Sequence, residues 1–335
     1  MQTRTVLPVH PIDLEPFRVG DADDRGRVAR LIDEACCDSG FLVVTGHGVP
    51  QPVCDGVLDA FAEFFEQPID EKRKWIVADE SANRGYSAVG KEGLAYSRGD
   101  ATPPDLFEAF NVGREDVDGA YFDAHRPFYA RNLWPTTVPG LAEAWRRYEA
   151  AAAGVADVLL EAMALALDLP QDWFVHRCRR AVVTTRANNY VRPEGSPPPT
   201  AGQMRMGAHT DYGALTILLA DDVPGLQVLR GGEWHDVSIP QGSFICNLGD
   251  LLERWTNDRW TSTMHRVVPP PAPMTGAVHR RSLARFLDCE PDAQIECIPS
   301  CCSTEHPAKY GPVIAGEWLM AKIIGSRTQK VTELA

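Results

Sequence analysis

A histidine and an aspartate stand two positions apart, at His209 and Asp211, in the segment Gly207-Ala-His-Thr-Asp-Tyr-Gly213. The segment precedes a short apolar run typical of a strand, so we expect an extended backbone here. On such a backbone, side chains two residues apart point to the same side, and both can reach one metal ion. Taken alone, one H-x-D motif among nine histidines is near chance level, and a turn with a polar pair is the simpler interpretation.

His265 changes this interpretation because it supplies a second imidazole at the head of another short apolar run. Two histidines and one carboxylate on one side of a metal, with the other coordination positions open, form the facial triad of non-haem iron(II) oxygenases. We therefore predict that His209, Asp211 and His265 are catalytic and bind Fe(II). The alternative is that all three are buried polar residues without a metal.

A carboxylate-binding pair is predicted downstream, on the strand-like segment Arg280-Arg-Ser-Leu-Ala-Arg-Phe286. The alternation of a strand places Arg280, Ser282, Ala284 and Phe286 on one face. A guanidinium and a hydroxyl on that face can bind a carboxylate through several charge-assisted hydrogen bonds, with Phe286 as a wall of the same pocket. The alternative is an ordinary surface ion pair.

The elements that must position these residues change in character near residue 180. Before it, hydrophobic periodicity predicts a helix over Asp21–Ser39, a buried strand at Phe41–Thr45, a second helix with Val53, Leu58, Phe61 and Phe64 inside, and a long helix over Leu141–Leu169. Residues 79–135 are rich in turn formers and are predicted to be irregular structure over a site.

After residue 180, short β-rich runs predict strands at Val182–Val191, Leu215–Leu219, Leu226–Leu229, Phe244–Asn247, His265–Val268 and Ser282–Leu287, and a last helix follows over Ala315–Ile324. Strands of this length and spacing predict a sandwich or a jelly-roll barrel.

Composition restricts the partners. The chain has 335 residues, 44% of them hydrophobic, and neither a long apolar run nor a secretory signal at its N-terminus, so we expect a cytoplasmic protein outside the membrane. A net charge of −13 argues against nucleic acids and anionic lipids and in favour of a small molecule. The nine cysteines are irregularly spaced without a C-x-x-C, which predicts reduced thiols and no thiolate zinc site.

With these motifs in place, the chain resembles the isopenicillin N synthase family, the broad group of iron(II)/2-oxoglutarate dioxygenases. The resemblance covers nearly the whole chain and includes Gly40-Phe-Leu-Val-Val-Thr-Gly-His-Gly-Val-Pro50, Phe64-Phe-Glu-Gln-Pro68, Glu71-Lys72, Arg84-Gly-Tyr86, Glu108-Ala-Phe110, Phe244-Ile-Cys-Asn-Leu-Gly-Asp250, Glu253-Arg-Trp-Thr-Asn257 and Tyr310-Gly-Pro-Val-Ile-Ala-Gly-Glu-Trp318.

The resemblance implies a mainly β fold with flanking α-helices, a distorted double-stranded β-helix or jelly roll. An N-terminal oxygenase module at 1–130 would pack on a jelly-roll core at 131–335 that ends in the C-terminal helix, the two forming one structural unit. The implied cofactors are Fe(II) and 2-oxoglutarate, with dioxygen as the oxidant.

Matched residue by residue, Arg280 and Ser282 would bind the distal carboxylate of 2-oxoglutarate, and Asn188 and Tyr190 would complete that site. One departure from the family pattern is Tyr190-Val191, where many relatives have Tyr-Pro.

Substrate contacts are predicted from Arg84, Tyr86 and Phe110, together with Phe286. The alternative for the first three is that arginine and aromatic side chains in loops simply pack.

The predicted function is the oxidation of a small organic molecule, such as a specialised metabolite, by hydroxylation, desaturation or ring closure, with succinate and carbon dioxide as products. Two alternatives stay open at this point. One is an iron-dependent oxidase of the same family that does not use 2-oxoglutarate, in which Arg280 and Ser282 would clamp a substrate carboxylate. The other is a non-catalytic small-molecule binding protein.

Overall fold

Strands from both halves of the chain build two sheets with a cavity between them in a computed structural model, which describes residues 6–7, 9–78, 82–91, 103–117, 119–192, 200, 202–269 and 278–328. The strands are β1 (Ile12–Asp13), β2 (Phe41–Thr45), β3 (Gly85–Ser87), β4 (Glu108–Gly113), β5 (Val183–Arg192), β6 (Met206–His209), β7 (Leu215–Ala220), β8 (Leu226–Arg230), β9 (Glu233–Asp236), β10 (Phe244–Leu248), β11 (His265–Val267), β12 (Val278–Leu287), β13 (Gln294–Ile295) and β14 (Val313–Ile314).

The larger sheet has eight strands in the order β1-β2-β10-β7-β12-β5-β4-β3, and the smaller has four in the order β6-β11-β8-β9. Strands β13 and β14 form a separate pair. Residues from both sheets line the cavity, as a double-stranded β-helix requires. The predicted mainly β fold with flanking helices is confirmed, and each strand predicted after residue 180 is present.

The helices are α1 (Glu15–Val19), α2 (Ala22–Asp38), α3 (Gln51–Phe65), α4 (Ile69–Arg73), α5 (Gly119–Ala124), α6 (Leu141–Ala166), α7 (Trp173–Cys178), α8 (Asp250–Trp255) and α9 (Ala315–Thr328). Helix α2 shows why the sequence folds as predicted. Asp21 caps it by accepting hydrogen bonds from the backbone N–H groups of Asp23 and Asp24, and its inner side buries apolar residues such as Ile32. None of the helices in the described ranges has both the length and the apolar character needed to cross a membrane.

The long helix α6 covers the outer face of the large sheet. Its buried side includes Tyr148 and Leu159, which belong to the same core as Leu283 and Leu287 of β12. Because side chains alternate along a strand, burying Leu283 under the helices turns Arg280 and Ser282 of the same strand toward the cavity.

The prediction of irregular structure over residues 79–135 is wrong in part. Strands β3 and β4 extend the large sheet here, with Phe110 paired to Ala187 of β5, and α5 follows them. Strand β4 forms here although the stretch is rich in turn formers, because β5, which is distant in the sequence, pairs with it and satisfies its backbone hydrogen bonds. Residues 79–81, 92–102 and 118 of this stretch lie outside the described residues. The described part does border the cavity, through residues that include Asn83 and Phe128.

We expect the helical layer to depend on one buried ion pair between α6 and β12. Arg285 donates to the Glu149 carboxylate from Nε and from Nη2, the latter at 2.7 Å, and the Thr185 hydroxyl adds a further hydrogen bond. Removing one partner leaves a buried charge without compensation, so Glu149→Ala should lower the free energy of unfolding by about 3 kcal/mol in urea denaturation.

Glu143→Ala is the matched control, because Glu143 lies on the same helix and pairs with Arg147 while both side chains are more than half exposed. This variant should change the free energy of unfolding by less than about 0.5 kcal/mol. Equal losses in the two variants would contradict the role given to the buried pair.

Candidate active site

The three predicted metal ligands meet at one buried point in the cavity. His209 ends β6 and pairs directly with His265 of β11 across the antiparallel ladder. Asp211 follows β6 in the loop to β7, and its Oδ1 lies 3.8 Å from the Nε2 atom of each histidine. One ligand atom from each residue lies within 4.8 Å of the other two. The geometry therefore matches a single shared ion.

Backbone carbonyls orient both imidazole rings. Nδ1 of His209 lies 2.8 Å from the carbonyl oxygen of Gly207, and Nδ1 of His265 lies 3.1 Å from that of Thr263. A carbonyl only accepts hydrogen bonds, so each Nδ1 carries the hydrogen and each Nε2 keeps a free lone pair. Both lone pairs are thus available to a metal beside Asp211, which is the usual arrangement around ligating histidines.

Two donors from neighbouring strands hold the Asp211 carboxylate. Its Oδ2 accepts a hydrogen bond from Thr216 Oγ1 at 2.5 Å and another from Asn247 Nδ2 at 2.7 Å. Thr216 on β7 and Asn247 on β10 are paired in register, so the sheet itself sets the distance between the two donors. Oδ2 is satisfied by these bonds, and Oδ1 faces the histidines.

The charges at this point favour a cation. Burial, followed by the neighbouring His265, lowers the pKa of His209 to about 4, so this imidazole is neutral at pH 7. Burial raises the pKa of Asp211, but the two histidines and the two hydrogen bonds outweigh it and the pKa lies below its usual range. Two nitrogens and an ionised carboxylate, with open space on the cavity side, form a donor set that suits Fe(II).

Arg280 places an unsatisfied guanidinium in the same cavity. Its side chain is 1% exposed, Nε donates to the carbonyl of Val223, and Nη1 and Nη2 have no hydrogen-bond partner among the described residues. Tyr190 lies beneath the guanidinium, 5.0 Å from the ring centroid. A buried cation whose N–H groups lack acceptors is unfavourable, and a bound carboxylate would satisfy both. This observation is the one that fits 2-oxoglutarate.

The register of the strands brings the remaining predicted cofactor residues beside Arg280. Arg280 pairs with Tyr190, and Ser282 pairs with Asn188, so the four side chains line one patch of the cavity. Asn188 Oδ1 accepts a hydrogen bond from Arg186 Nε at 3.1 Å, which orients the amide.

Asn189, the residue between the two matched positions on β5, has its side chain on the opposite face of the sheet. Its Nδ2 donates to Glu108 Oε1 at 2.8 Å. The departure from the family pattern next to Tyr190 therefore leaves this patch of the cavity intact.

Of the four residues predicted to contact the substrate, three border the cavity and one does not. Phe286 and Arg84 line the cavity, and Arg84 donates to the backbone carbonyls of Ala130 and Asn83. Phe110 is fully buried on the other face of the sheet, with its ring 4.7 Å from that of Phe64, so its prediction as a substrate contact is wrong.

Tyr86, the strand partner of Phe110, borders the cavity, but its hydroxyl points away from it and donates to Glu108. The physical reason for both outcomes is the register with β5, which turns this strand pair toward α3.

Three residues of the site were not predicted from the sequence: Thr216, Asn247 and Asp288. Asn247 lies inside a motif of the family resemblance, and continuing the alternation of β12 by one step beyond Phe286 reaches Asp288. Asp288 lines the cavity, and burial together with the charge of Asp211 raises its pKa to about 7. The cavity has a volume of about 630 Å³, which is sufficient for a co-substrate and a small substrate together.

Comparisons with known proteins agree with this geometry. The family model described as the N-terminal region of a non-haem dioxygenase in morphine synthesis matches residues 8–137. The model described as the 2OG-Fe(II) oxygenase superfamily matches residues 184–288, a range that contains all three triad residues.

Similar proteins span almost the entire chain. A 2-oxoglutarate-Fe(II) type oxidoreductase of Emericella nidulans is 33% identical, covering 90% of this chain and 85% of its own. Validamycin A dioxygenase of Streptomyces hygroscopicus subsp. limoneus is also 33% identical, covering 96% and 87%. The crystal structure of a full-length Neurospora crassa protein in complex with alpha-KG and thymine superposes with a TM-score of 0.84 at 26% identity, covering 97% and 100%.

The triad, the orphaned guanidinium and these similarities lead to one conclusion. The chain belongs to the 2OG-Fe(II) oxygenase family, among the isopenicillin N synthase-like dioxygenases, and is an oxidoreductase whose cofactors are Fe(II) and 2-oxoglutarate.

Proposed function

We propose that the cavity between the two sheets is the active site, in which His209, Asp211 and His265 bind Fe(II) and Arg280 with Ser282 binds the distal carboxylate of 2-oxoglutarate. The observation that carries this proposal is the coexistence, in one cavity, of a buried ligand triad and a buried guanidinium without an acceptor among the described residues. With dioxygen, Fe(II) and 2-oxoglutarate supply an oxidising centre that hydroxylates, desaturates or cyclises a substrate and releases succinate and carbon dioxide.

The protein's own residues position the reactants and exclude water. Thr216 and Asn247 fix the Asp211 carboxylate, so that its free oxygen stays directed at the ion. Helix α9 contributes Leu319 and Ile323 to the cavity wall, and Phe128 adds an aromatic side chain. An apolar enclosure of this kind protects a strong oxidant from water.

A small organic molecule is the substrate class that this cavity supports. Its volume suits a metabolite, and its wall mixes apolar residues with a few polar groups such as Asn111 and Thr184. Similar proteins point the same way, because one is named for validamycin A and another was crystallised with thymine.

The test of this function is succinate formation by the Fe(II)-loaded protein in air, with and without a panel of small metabolites. We expect slow succinate release from 2-oxoglutarate alone, acceleration by a substrate, and neither in Asp211→Ala. Bound iron without succinate under any condition would favour an oxidase that does not use 2-oxoglutarate. Absence of iron binding would favour a non-catalytic binding protein.

Arg280 should control the affinity of the protein for 2-oxoglutarate. Arg280→Lys keeps the charge but loses the two-pronged donor geometry, so the Kd for 2-oxoglutarate should rise about 100-fold, measured by anaerobic calorimetry on the iron-loaded protein. Arg281→Lys is the matched control, because Arg281 is adjacent but pairs with Glu66 outside the cavity. Similar losses in both variants would place 2-oxoglutarate elsewhere.

The hydrogen bond from Thr216 to Asp211 should strengthen iron binding. Thr216→Val preserves shape but removes the hydrogen bond to Oδ2, so Fe(II) affinity should fall about 10- to 100-fold in competition with a chelator. Thr137→Val is the control, since Thr137 bonds to the side chain of Gln67 outside the cavity. Unchanged iron affinity in Thr216→Val would show that this hydrogen bond does not position the ligand.

A further inference from the structure

Asp288 is a second carboxylate in the cavity, and the proposed iron and 2-oxoglutarate sites do not use it. It directly follows β12, is 9% exposed and lines the cavity. Its backbone N–H donates to the carbonyl of Val182, but its side chain has no hydrogen-bond or ion-pair partner among the described residues. A buried carboxylate without a donor or a cation is strongly unfavourable, so a ligand that supplies one would be bound tightly.

Close packing fixes the position of this carboxylate. A Cβ atom added to Gly213 would lie 2.0 Å from Asp288 Oδ1, so the carboxylate occupies the space that a side chain at that position would fill. Gly213 belongs to the loop that carries Asp211, two residues earlier in the chain. The metal loop thus carries a glycine where the Asp288 carboxylate needs room.

Asp288 lies at the opposite end of the β12 segment from Arg280. The two residues are eight positions apart on the same side of the β12 segment, which corresponds to roughly 26 Å of extended chain. Between them lies Phe286, which pairs with Thr216, the residue that supports Asp211. A 2-oxoglutarate molecule that extends from the metal to Arg280 therefore leaves the Asp288 end of the cavity to the substrate.

Through its backbone hydrogen bond to Val182, Asp288 adjoins an apolar and aromatic part of the cavity wall. Val182 and Leu319 belong to a small core cluster against which Phe128, Tyr212 and Ile323 pack, and all five line the cavity. Ring faces attract a cation, and hydrocarbon walls accommodate an apolar chain. Among such groups, and with the negative charge of Asp211 also acting on it, the Asp288 carboxylate favours positive charge and disfavours anions.

We propose that Asp288 determines substrate specificity by binding a positively charged nitrogen, an ammonium or guanidinium group carried on a hydrocarbon body. The inference rests on the proposed function, because it assumes that the iron and the 2-oxoglutarate occupy the other end of the cavity. A protonated nitrogen would give the carboxylate the charge-assisted hydrogen bonds that the described residues do not provide.

The test compares three probes of similar shape, 1-hexylamine, 1-hexanol and hexanoate, on the anaerobic protein loaded with Fe(II) and 2-oxoglutarate at about pH 7.5, where the amine is protonated. Binding is followed through the change that each probe causes in the visible charge-transfer band of the iron complex. In the wild type, hexylamine should bind about tenfold or more tightly than hexanol, and hexanoate should bind weakest.

Asp288→Asn should remove the preference for the amine, because it keeps the shape and deletes the charge. Glu296→Gln is the matched control, since it removes an exposed carboxylate near the same part of the chain, and it should retain the preference. The thermal midpoint of Asp288→Asn without probe should equal or exceed that of the wild type, because the amide replaces an unpartnered buried charge.

Equal binding of hexylamine and hexanol to the wild type would overturn the proposal without any variant. So would an amine preference that survives in Asp288→Asn, or a clear fall in the thermal midpoint of that variant, which would reveal a structural role. Failure of the proposed function is distinguishable, because the iron-loaded wild type would then show no charge-transfer band with 2-oxoglutarate before any probe is added.

Discussion

The Asp211 carboxylate is the constraint on which the site depends. Its Oδ2 is held by Thr216 and Asn247, which face each other across two paired strands, and its Oδ1 lies at equal distance from two imidazoles. The histidines come from the smaller sheet and the donors from the larger one. The ligand set therefore forms only when the two sheets close on each other, which links the metal site to the whole double-stranded β-helix and to the helices that cover it.

The polar groups that the fold leaves unsatisfied mark where ligands belong. Glu149 and Arg285 form an ion pair beneath α6, and Lys72 and Glu108 form another buried pair. In the cavity, by contrast, Arg280 retains two N–H groups without acceptors and Asp288 has no donor among the described residues. The two lie at opposite ends of one face of the β12 segment and both line the cavity, so we infer that one end suits an anion and the other a cation.

Much of this arrangement could be predicted from the sequence, because alternation along a strand is a local property. Alternation alone is sufficient to place Arg280 with Ser282, and the two-residue spacing points correctly to His209 with Asp211 although the strand ends at His209. It does not tell which face points into a cavity. That depends on pairing with strands far along the chain, and for this reason the prediction for Phe110 is wrong and strand β4 is not evident in the sequence. The role of Asp288 could not be predicted from the sequence, because the lack of a partner for its side chain among the described residues is apparent only when its neighbours in space are known.

The most direct test of this account is an anaerobic titration of the Fe(II)-loaded protein with 2-oxoglutarate, monitored by visible absorption. Glutarate is the control, because it has both carboxylates but lacks the keto group that must chelate the iron. The account predicts a weak charge-transfer band that saturates at one equivalent of 2-oxoglutarate and does not form with glutarate. Stoichiometric binding of iron at the triad without a band at any concentration of 2-oxoglutarate would contradict it.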